Sequence, residues 1–287
     1  MDGLVWCPYT DKDLPLDSCS PEHIVPLSLG GCNEFTIPVA KEANSTVGSE
    51  IDGGIANDFF INLARSRLNM RGHNGSKRPK ATRRAKFGNK PVQIEFTGGA
   101  PKVWDAIERR VLGENEFAGQ SMSFEVRHEW FTKARFVAKV ALSGGAYVYG
   151  RSLRETVDHN ELRKLIINNP PHGHLLQSSR CKFTDSLLQI EAPPERINII
   201  RTIIETLDDA AIILFTPYHD ALGITVGILG NFIGDLQVPA KTDTFPLTGD
   251  YDLGHFVIIQ NRKLTRMSFR SFLQNLLSDI EGIHQGH

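Results

Sequence analysis

The sequence has little of what marks a secreted, membrane-bound or disulfide-stabilised protein. Only four cysteines occur in 287 residues, at irregular spacing, which fits a reducing compartment and argues against a disulfide framework. No apolar run approaches the roughly 18 residues needed to span a bilayer. The first residues, MDGLVWCPYTDKD, carry neither a basic leader nor an apolar signal core. We therefore expect a cytoplasmic protein with no membrane partner.

The chain also lacks the commonest sequence signatures of enzymes. It contains no internal repeat, no phosphate-binding glycine loop and no nucleophile elbow. Its composition, 40% hydrophobic and 23% charged, is that of an ordinary folded protein with one large domain or two modest ones. Function must therefore be sought in a local cluster of reactive residues.

Such a cluster lies in residues 22–53, which combine a carboxylate, an imidazole, a Gly-Gly turn and an amide. Glu22 and Asn44 offer oxygen atoms, which suit a hard cation such as Mg²⁺ that takes only one or two protein ligands. His23 follows Glu22, and an imidazole can accept a proton from water near neutral pH. The segment therefore predicts metal-assisted cleavage of phosphodiesters.

At these residues the chain resembles the HNH endonucleases, whose ββα-metal unit runs from Asp/Glu-His through a Gly-Gly hairpin to a helix. The likeness covers about residues 5–75 and is carried by Glu22-His23, Ile24-Val25-Pro26, Ser28, Gly30-Gly31 and Asn44-Ser45.

This resemblance implies a role for each motif residue. Glu22 and Asn44 take the positions that hold Mg²⁺ or Mn²⁺, and His23 takes the position of the general base. Asn33 is the nearest residue to the middle Asn of the motif, although it falls a couple of residues off the usual register. By resemblance it holds the hairpin loop and orients His23.

The family's structural zinc site is incomplete in this chain. Many members carry two Cys-x-x-Cys pairs, where this sequence reads Cys7-Pro8-Tyr9-Thr10 and Ala40-Lys41-Glu42-Ala43. A tetrahedral zinc needs four nitrogen or sulfur ligands, so we expect no structural zinc. Two readings stay open: Ala40 and Ala43 pack where the metal was, or Cys19 and Cys32 join Cys7 and a histidine.

A concentrated basic segment follows the motif. Ten Lys or Arg and no Asp or Glu occur between residues 65 and 90, which leaves 22 basic against 33 acidic residues elsewhere. Such a segment is typical of sequence-independent phosphate contact, and the alternative is a solvated linker. The candidate nucleic-acid contacts are Arg65, Arg67, Arg71, Lys77, Arg78, Lys80, Arg83, Arg84 and Lys86.

The remaining sequence predicts an α+β domain. Helical spacing occurs over 128–145, ended by Gly144-Gly145, and again over 161–169, 193–209 and 268–283. We also predict a strand at 91–96, a short helix at 106–112, and a mainly antiparallel sheet from the β-branched runs between 211 and 260.

Together these patterns predict an α+β fold in three parts. Residues 1–75 form an N-terminal ββα-metal unit, 76–90 a basic arm or linker, and 91–287 a mainly antiparallel sheet packed with helices. The last part has no assigned role, and substrate positioning, oligomerisation and recognition of a protein partner stay open.

The leading function is metal-dependent cleavage of DNA, with a role in defence against foreign DNA suggested by the setting of related HNH proteins. A single ββα unit cuts one strand, so double-strand cleavage would require a homodimer or two binding events. The alternative is a nucleic-acid-binding or regulatory protein whose HNH unit no longer cuts. A third reading places the chemistry in the C-terminal half, with the basic segment recruiting RNA.

Overall fold

The protein has an α+β fold with antiparallel sheets. This computed structural model describes residues 3–71, 81–96, 101–119, 121–167, 179–187, 195–245 and 249–285. The described helices are α1 (Lys41–Val47), α2 (Gly53–Ala56), α3 (Phe59–Arg67), α4 (Glu114–Phe117), α5 (Trp130–Tyr149), α6 (Arg151–Thr156), α7 (His159–Ile167), α8 (Glu195–Thr206) and α9 (Phe269–Gln285).

The described strands fall into two larger sheets and two hairpins. The hairpins are β1 (Leu4–Cys7) with β2 (Lys12–Pro15), and β3 (Cys19–His23) with β4 (Thr36–Ala40). The smaller sheet contains β5 (Ala81–Phe87), β6 (Lys90–Phe96), β7 (Lys102–Asp105), β8 (Arg110–Val111) and β9 (Met122–Phe124). The larger sheet contains β10 (Lys182–Thr184), β11 (Ala211–Pro217), β12 (Ala221–Ile228), β13 (Asn231–Pro239), β14 (His255–Gln260) and β15 (Lys263–Ser268).

The six-stranded sheet is covered on both faces, which explains the unbroken apolar run of its central strand β11. Its strand order is β10-β13-β12-β11-β14-β15. Ile213 and Phe215 of β11 belong to the core cluster that includes α5. Ile212 and Leu214 point the other way, into the cluster that includes α8. Successive strand residues face opposite sides, so the layers run α5, sheet, α8.

Helix α5 is the central helix, and the prediction that it ends at Gly144-Gly145 is wrong. It continues to Tyr149 and ends at Gly150, whose φ is 54°. A Cβ at Gly144 would lie 3.0 Å from the ring of Phe215 and 3.3 Å from Ile24, and one at Gly145 would lie 2.7 Å from Leu153. The two glycines therefore serve close packing instead of ending the helix.

The N-terminal hairpins share this core. Ile24 and Phe35 lie in the same buried cluster as Phe136 of α5 and Phe215 of β11, and the Phe35 ring packs edge-on against Tyr147 at 4.9 Å between centroids. Residue 75 therefore does not separate two cores. The ββα unit and the larger sheet are packed together through α5.

The five-stranded sheet has its own small core, formed by Ala85, Val92, Ile94, Val103 and Leu112. Its strand β6 confirms the strand predicted at 91–96. Residues 81–90 differ from the expected arm or linker, because they form β5 and the turn into β6. Alternation of buried and exposed residues along these strands explains why a charge-rich segment can still be a strand. The rest of the expected arm, up to residue 80, lies outside the described residues.

The short helix predicted at 106–112 is also wrong. Asp105 Oδ1 accepts hydrogen bonds from the backbone amides of Ile107 at 2.8 Å and Glu108 at 2.9 Å. This side chain closes a turn that competes with a helix, and Arg109 with a φ of 53° leads into β8.

The other helix predictions hold where the chain is described. Helices α7, α8 and α9 occupy most of the ranges 161–169, 193–209 and 268–283. The antiparallel sheet between 211 and 260 is confirmed from β11 to β14, with one register shift at Val226 and Gly227 where β12 pairs with β13. Over the described ranges, no helix combines the length and apolarity that a membrane crossing requires.

Candidate active site

The motif residues lie on a hairpin followed by a helix. Strands β3 and β4 pair so that Glu22 faces Ile37 and His23 faces Thr36 across the ladder, and α1, which carries Asn44, begins directly after β4. The loop between the strands requires glycine at Gly31, since a Cβ there would lie 1.8 Å from the carbonyl oxygen of Val25. The chain therefore follows the ββα order expected from the sequence.

The His23 side chain is held by Asn33. Its Nε2 lies 3.0 Å from Asn33 Oδ1. An amide oxygen only accepts hydrogen bonds, so this contact places a proton on Nε2 and makes Nδ1 the nitrogen that can accept one. The structure thus brings together two residues ten positions apart, in the orienting arrangement that the resemblance implied for Asn33.

Glu22 is almost fully buried, and both of its described contacts use one oxygen. Oε1 accepts a hydrogen bond from the Tyr9 hydroxyl at 3.1 Å and lies 2.6 Å from Lys139 Nζ. The second oxygen, Oε2, is the one that remains for a cation. Burial, together with the charge of Glu22 beside it, raises the pKa of the Tyr9 hydroxyl well above its usual range, so Tyr9 acts as a neutral donor.

Asp52 extends the charged cluster. Its carboxylate oxygens lie 3.2 Å and 3.3 Å from Lys139 Nζ. Burial raises the pKa of Asp52 from 3.8 to about 7, an effect opposed by the Lys139 charge and reinforced by Glu22. Asp52 therefore changes charge close to neutral pH, where its neighbours Glu22 and Lys139 form an ion pair.

Asn44 faces the same region with its amide oriented by the hairpin. Its Nδ2 donates to Ser20 Oγ at 2.9 Å and to the carbonyl oxygen of Pro21 at 3.0 Å. Since the nitrogen is engaged by β3, the oxygen Oδ1 points away from these partners. That oxygen is the atom the sequence predicted as a cation ligand.

These side chains line one open pocket of about 180 Å³. Its wall is formed by Pro21, Glu22, His23, Pro26, Leu27, Ser28, Asn44, Gly48 and Asp52. An imidazole, a carboxylate, an amide and an ionisable carboxyl group therefore meet at a solvent-accessible cavity. Such a set can activate water and bind a cation at the same place.

The donor set fits a hard divalent cation but does not form a closed metal cage. In the described part of the chain, no group of three or more His, Cys, Asp or Glu residues is placed to hold a metal. Mg²⁺ needs fewer, because it keeps most of its water shell and takes one or two protein oxygens. Glu22 Oε2 and Asn44 Oδ1 satisfy that requirement.

The position of the missing zinc thiols is occupied by ordinary packing. Cys7 is a buried free cysteine, and its Sγ accepts a hydrogen bond from the Ala40 amide at 3.3 Å. Ala40 and Ala43 pack against the main core cluster, which matches the first of the two readings from the sequence. The absence of structural zinc stays a prediction.

The candidate phosphate contacts separate into groups. Arg65 differs from the expectation of a solvent-facing ligand, because its guanidinium donates to the carbonyl oxygens of Ser28 and Ala56, both at 2.9 Å. Arg67 is 48% exposed and forms an ion pair with Asp208 at 2.7 Å, and its contact with nucleic acid stays a prediction. Both arginines are used to hold α3 against neighbouring segments.

The other basic candidates lie nearer the small sheet. Arg71, Arg84 and Lys86 are exposed. The backbone of Arg83 lies in β5. Lys77, Arg78 and Lys80 lie outside the described residues. Of these exposed residues, Arg84 and Lys86 lie on β5 and Arg71 lies beyond the end of α3.

Comparison with known proteins adds no assignment. No family model, no curated protein and no solved structure matches this chain. The function of the protein must therefore be inferred from the site itself.

Sequence reasoning assigned no role to Lys139, Tyr9 or Asp52. The one signal for Lys139 was its position within an otherwise apolar stretch of the predicted helix, FVAKVAL. A lysine there must either reach solvent or find a buried counter-charge.

Proposed function

We propose that the protein is a metal-dependent, HNH-type endonuclease that hydrolyses phosphodiester bonds in DNA. The observation that carries this proposal is the His23–Asn33 contact at the pocket shared by Glu22 and Asn44. Within the proposal the protein is cytoplasmic, acts in defence against foreign DNA, and cuts both strands through a homodimer or two binding events.

His23 performs the proton transfer in this mechanism. Asn33 accepts the Nε2 hydrogen bond, so Nδ1 takes the proton from a water molecule. The resulting hydroxide attacks phosphorus, the ester P–O bond opposite breaks, and the leaving oxygen takes a proton from solvent. A bound Mg²⁺ or Mn²⁺ supplies charge neutralisation at the phosphate, and Glu22 Oε2 with Asn44 Oδ1 are the oxygens that would hold it.

The test is cleavage of supercoiled plasmid in Mg²⁺ or Mn²⁺, with and without chelator. We expect His23→Ala to lower turnover about 10²–10⁴-fold, the usual contribution of a general base, with DNA binding retained. His219→Ala is the matched control, since His219 is an exposed histidine in the turn between β11 and β12. Cleavage by His23→Ala at the wild-type rate would exclude this mechanism.

A second candidate is a nucleic-acid-binding protein that does not cut. The Lys139 ammonium group favours it, because it lies 2.6 Å from Glu22 and gives that carboxylate an internal counter-charge. Exposed Arg84 and Lys86 on β5 would then carry phosphate binding. Salt-dependent DNA binding, with no nicked product in either metal, would select this candidate over the nuclease.

A further inference from the structure

The Lys139 ammonium group is enclosed by oxygen atoms from two other segments. It is fully buried on α5 and donates to the carbonyl oxygens of His23 at 2.7 Å and Ile24 at 3.0 Å. It also contacts Glu22 Oε1 at 2.6 Å and the carboxylate of Asp52 at 3.2–3.3 Å. Three N–H groups therefore serve four acceptor groups.

A buried ammonium group persists only if nearby oxygens replace its lost water. Here three of the acceptors belong to Glu22, His23 and Asp52, which line the candidate site, and the fourth is the carbonyl of Ile24. Lys133 on the same helix is also buried, yet no hydrogen bond or ion pair joins its ammonium group to an oxygen in the described part of the chain. The oxygen shell is thus particular to Lys139.

Lys139 and Asn33 hold the general base at two points. Lys139 binds the carbonyl of His23, while Asn33 binds its imidazole ring. Lys139 also engages Glu22 through Oε1, which leaves Oε2 as the remaining carboxylate oxygen. One ammonium group therefore contacts both residues to which the proposed reaction assigns its main roles.

We propose that Lys139 is a positioning residue of this nuclease site, which fixes the backbone of His23 and the carboxylate of Glu22 without touching substrate. The proposal rests on the proposed function for its catalytic consequence. Its structural part, the orientation of His23 and Glu22, is measurable on the protein without DNA.

Removing the ammonium group has two opposed effects on cation binding. Glu22 loses its orienting partner, but the site also loses a positive charge that repels a divalent cation. We therefore expect Lys139→Met to bind Mn²⁺ at least as tightly as wild type while turnover falls about 10²-fold, the cost of a misplacement of about 1 Å. A purely structural residue would lower both quantities together.

The experiment compares Lys139→Met with Lys133→Met, which makes the same change on the same helix outside the site. Three measurements are made on each: plasmid turnover at saturating metal and DNA, Mn²⁺ affinity without DNA, and the ¹³C signal of the His23 ring. The signal is identified by its loss in His23→Ala. We expect it to move in Lys139→Met and to stay at the wild-type position in Lys133→Met.

A second variant is made in case Lys139→Met does not fold. Lys139→Met with Asp52→Asn removes one buried charge of each sign, and Asp52→Asn alone is its reference. The proposal predicts the same three results in whichever Lys139 variant folds: turnover is lower, the His23 signal moves, and Mn²⁺ affinity is not lost. If neither folds, Lys139 is a structural residue and the proposal is overturned.

The outcomes separate this inference from the proposed function. A wild-type protein that does not cleave rejects the nuclease, while the His23 signal and Mn²⁺ affinity still decide the role of Lys139. A wild-type protein that cleaves, with Lys139→Met no slower than Lys133→Met, rejects the positioning role alone. An unmoved His23 signal rejects it in either case.

Discussion

Two charged clusters in this protein have nearly the same contact distances in opposite surroundings. In the cluster at the candidate site, Lys139 lies 2.6 Å from Glu22 in the shared core. In the surface cluster on the small sheet, Arg110 lies 2.6 Å from Glu116 and 2.7 Å from Glu108. The latter side chains are more than 40% exposed, whereas Lys139 and Glu22 are 0% and 3% exposed. Contact distance therefore does not show how much each ion pair contributes to stability. The exposure of the side chains is the property that separates them.

The carboxyl groups report this difference as opposite pKa shifts. Hydrogen bonds from Arg110 and from the Gly113 amide lower the pKa of Glu116 to about 2. Burial raises the pKa of Asp52 to about 7 even though Lys139 lies beside it. In water an ion pair costs little to form and contributes little, while in the core the loss of hydration dominates.

The largest expected effect is that of Lys139→Met on stability. The change leaves Glu22 and Asp52 buried without their cation, which typically costs about 3–5 kcal/mol. Urea denaturation at neutral pH measures the loss, and Lys133→Met provides the matched substitution on α5. A loss no greater than that of Lys133→Met would show that the buried cluster is as weak as a surface pair.

The next effect is the pH dependence removed by Asp52→Asn. Because the folded-state pKa of Asp52 is raised from 3.8 to about 7, the folded protein binds this proton more tightly than the unfolded chain. Its stabilising contribution is complete below about pH 4 and is lost as the pH rises to about 7.

We therefore expect Asp52→Asn to gain stability relative to wild type across this range, by at most about 1.4 kcal/mol per pH unit. Urea denaturation at several pH values between 4 and 8 measures the difference. Exposed Asp220 supplies the control Asp220→Asn. A stability difference that does not change with pH would contradict the burial argument.

The smallest effect is expected at the surface cluster. Arg110→Met should leave the urea midpoint within the scatter of repeated measurements, because its partners regain hydration when the cation is removed. Any difference at low salt should vanish in 1 M NaCl, where the screening length is about 3 Å. A loss as large as that of Lys139→Met would remove the distinction between the two clusters.

The local parts of this fold were readable from the sequence, and the parts set by distant contacts were not. Apolar spacing was sufficient for α8 and α9, and β-branched runs for β11 and β12. The end of α5 was misplaced, because the glycines that suggest a stop serve contacts with Phe215 and Leu153, which come later in the chain. Helix propensity carries no information about such partners.

The same limit applies to the candidate site. Glu22, His23, Asn33 and Asn44 lie within one short motif, so their proximity followed from spacing. Lys139 is 115 to 117 residues away from the atoms it binds on β3 and beyond, and no periodicity connects them. The structural partners of Arg65 were missed for a related reason: they are the backbone carbonyls of Ser28 and Ala56, which leave no mark in the sequence.

The core shared by Ile24, Phe35, Phe136 and Phe215 also constrains how such a protein can be rearranged. A fragment cut after residue 75 would keep the whole motif but lose α5 and the strand against which it packs. It would also lose Lys139, whose ammonium group donates a hydrogen bond to the carbonyl oxygen of His23. The motif is therefore not an autonomous unit in this protein, because its core is completed by a helix that begins 55 residues after residue 75.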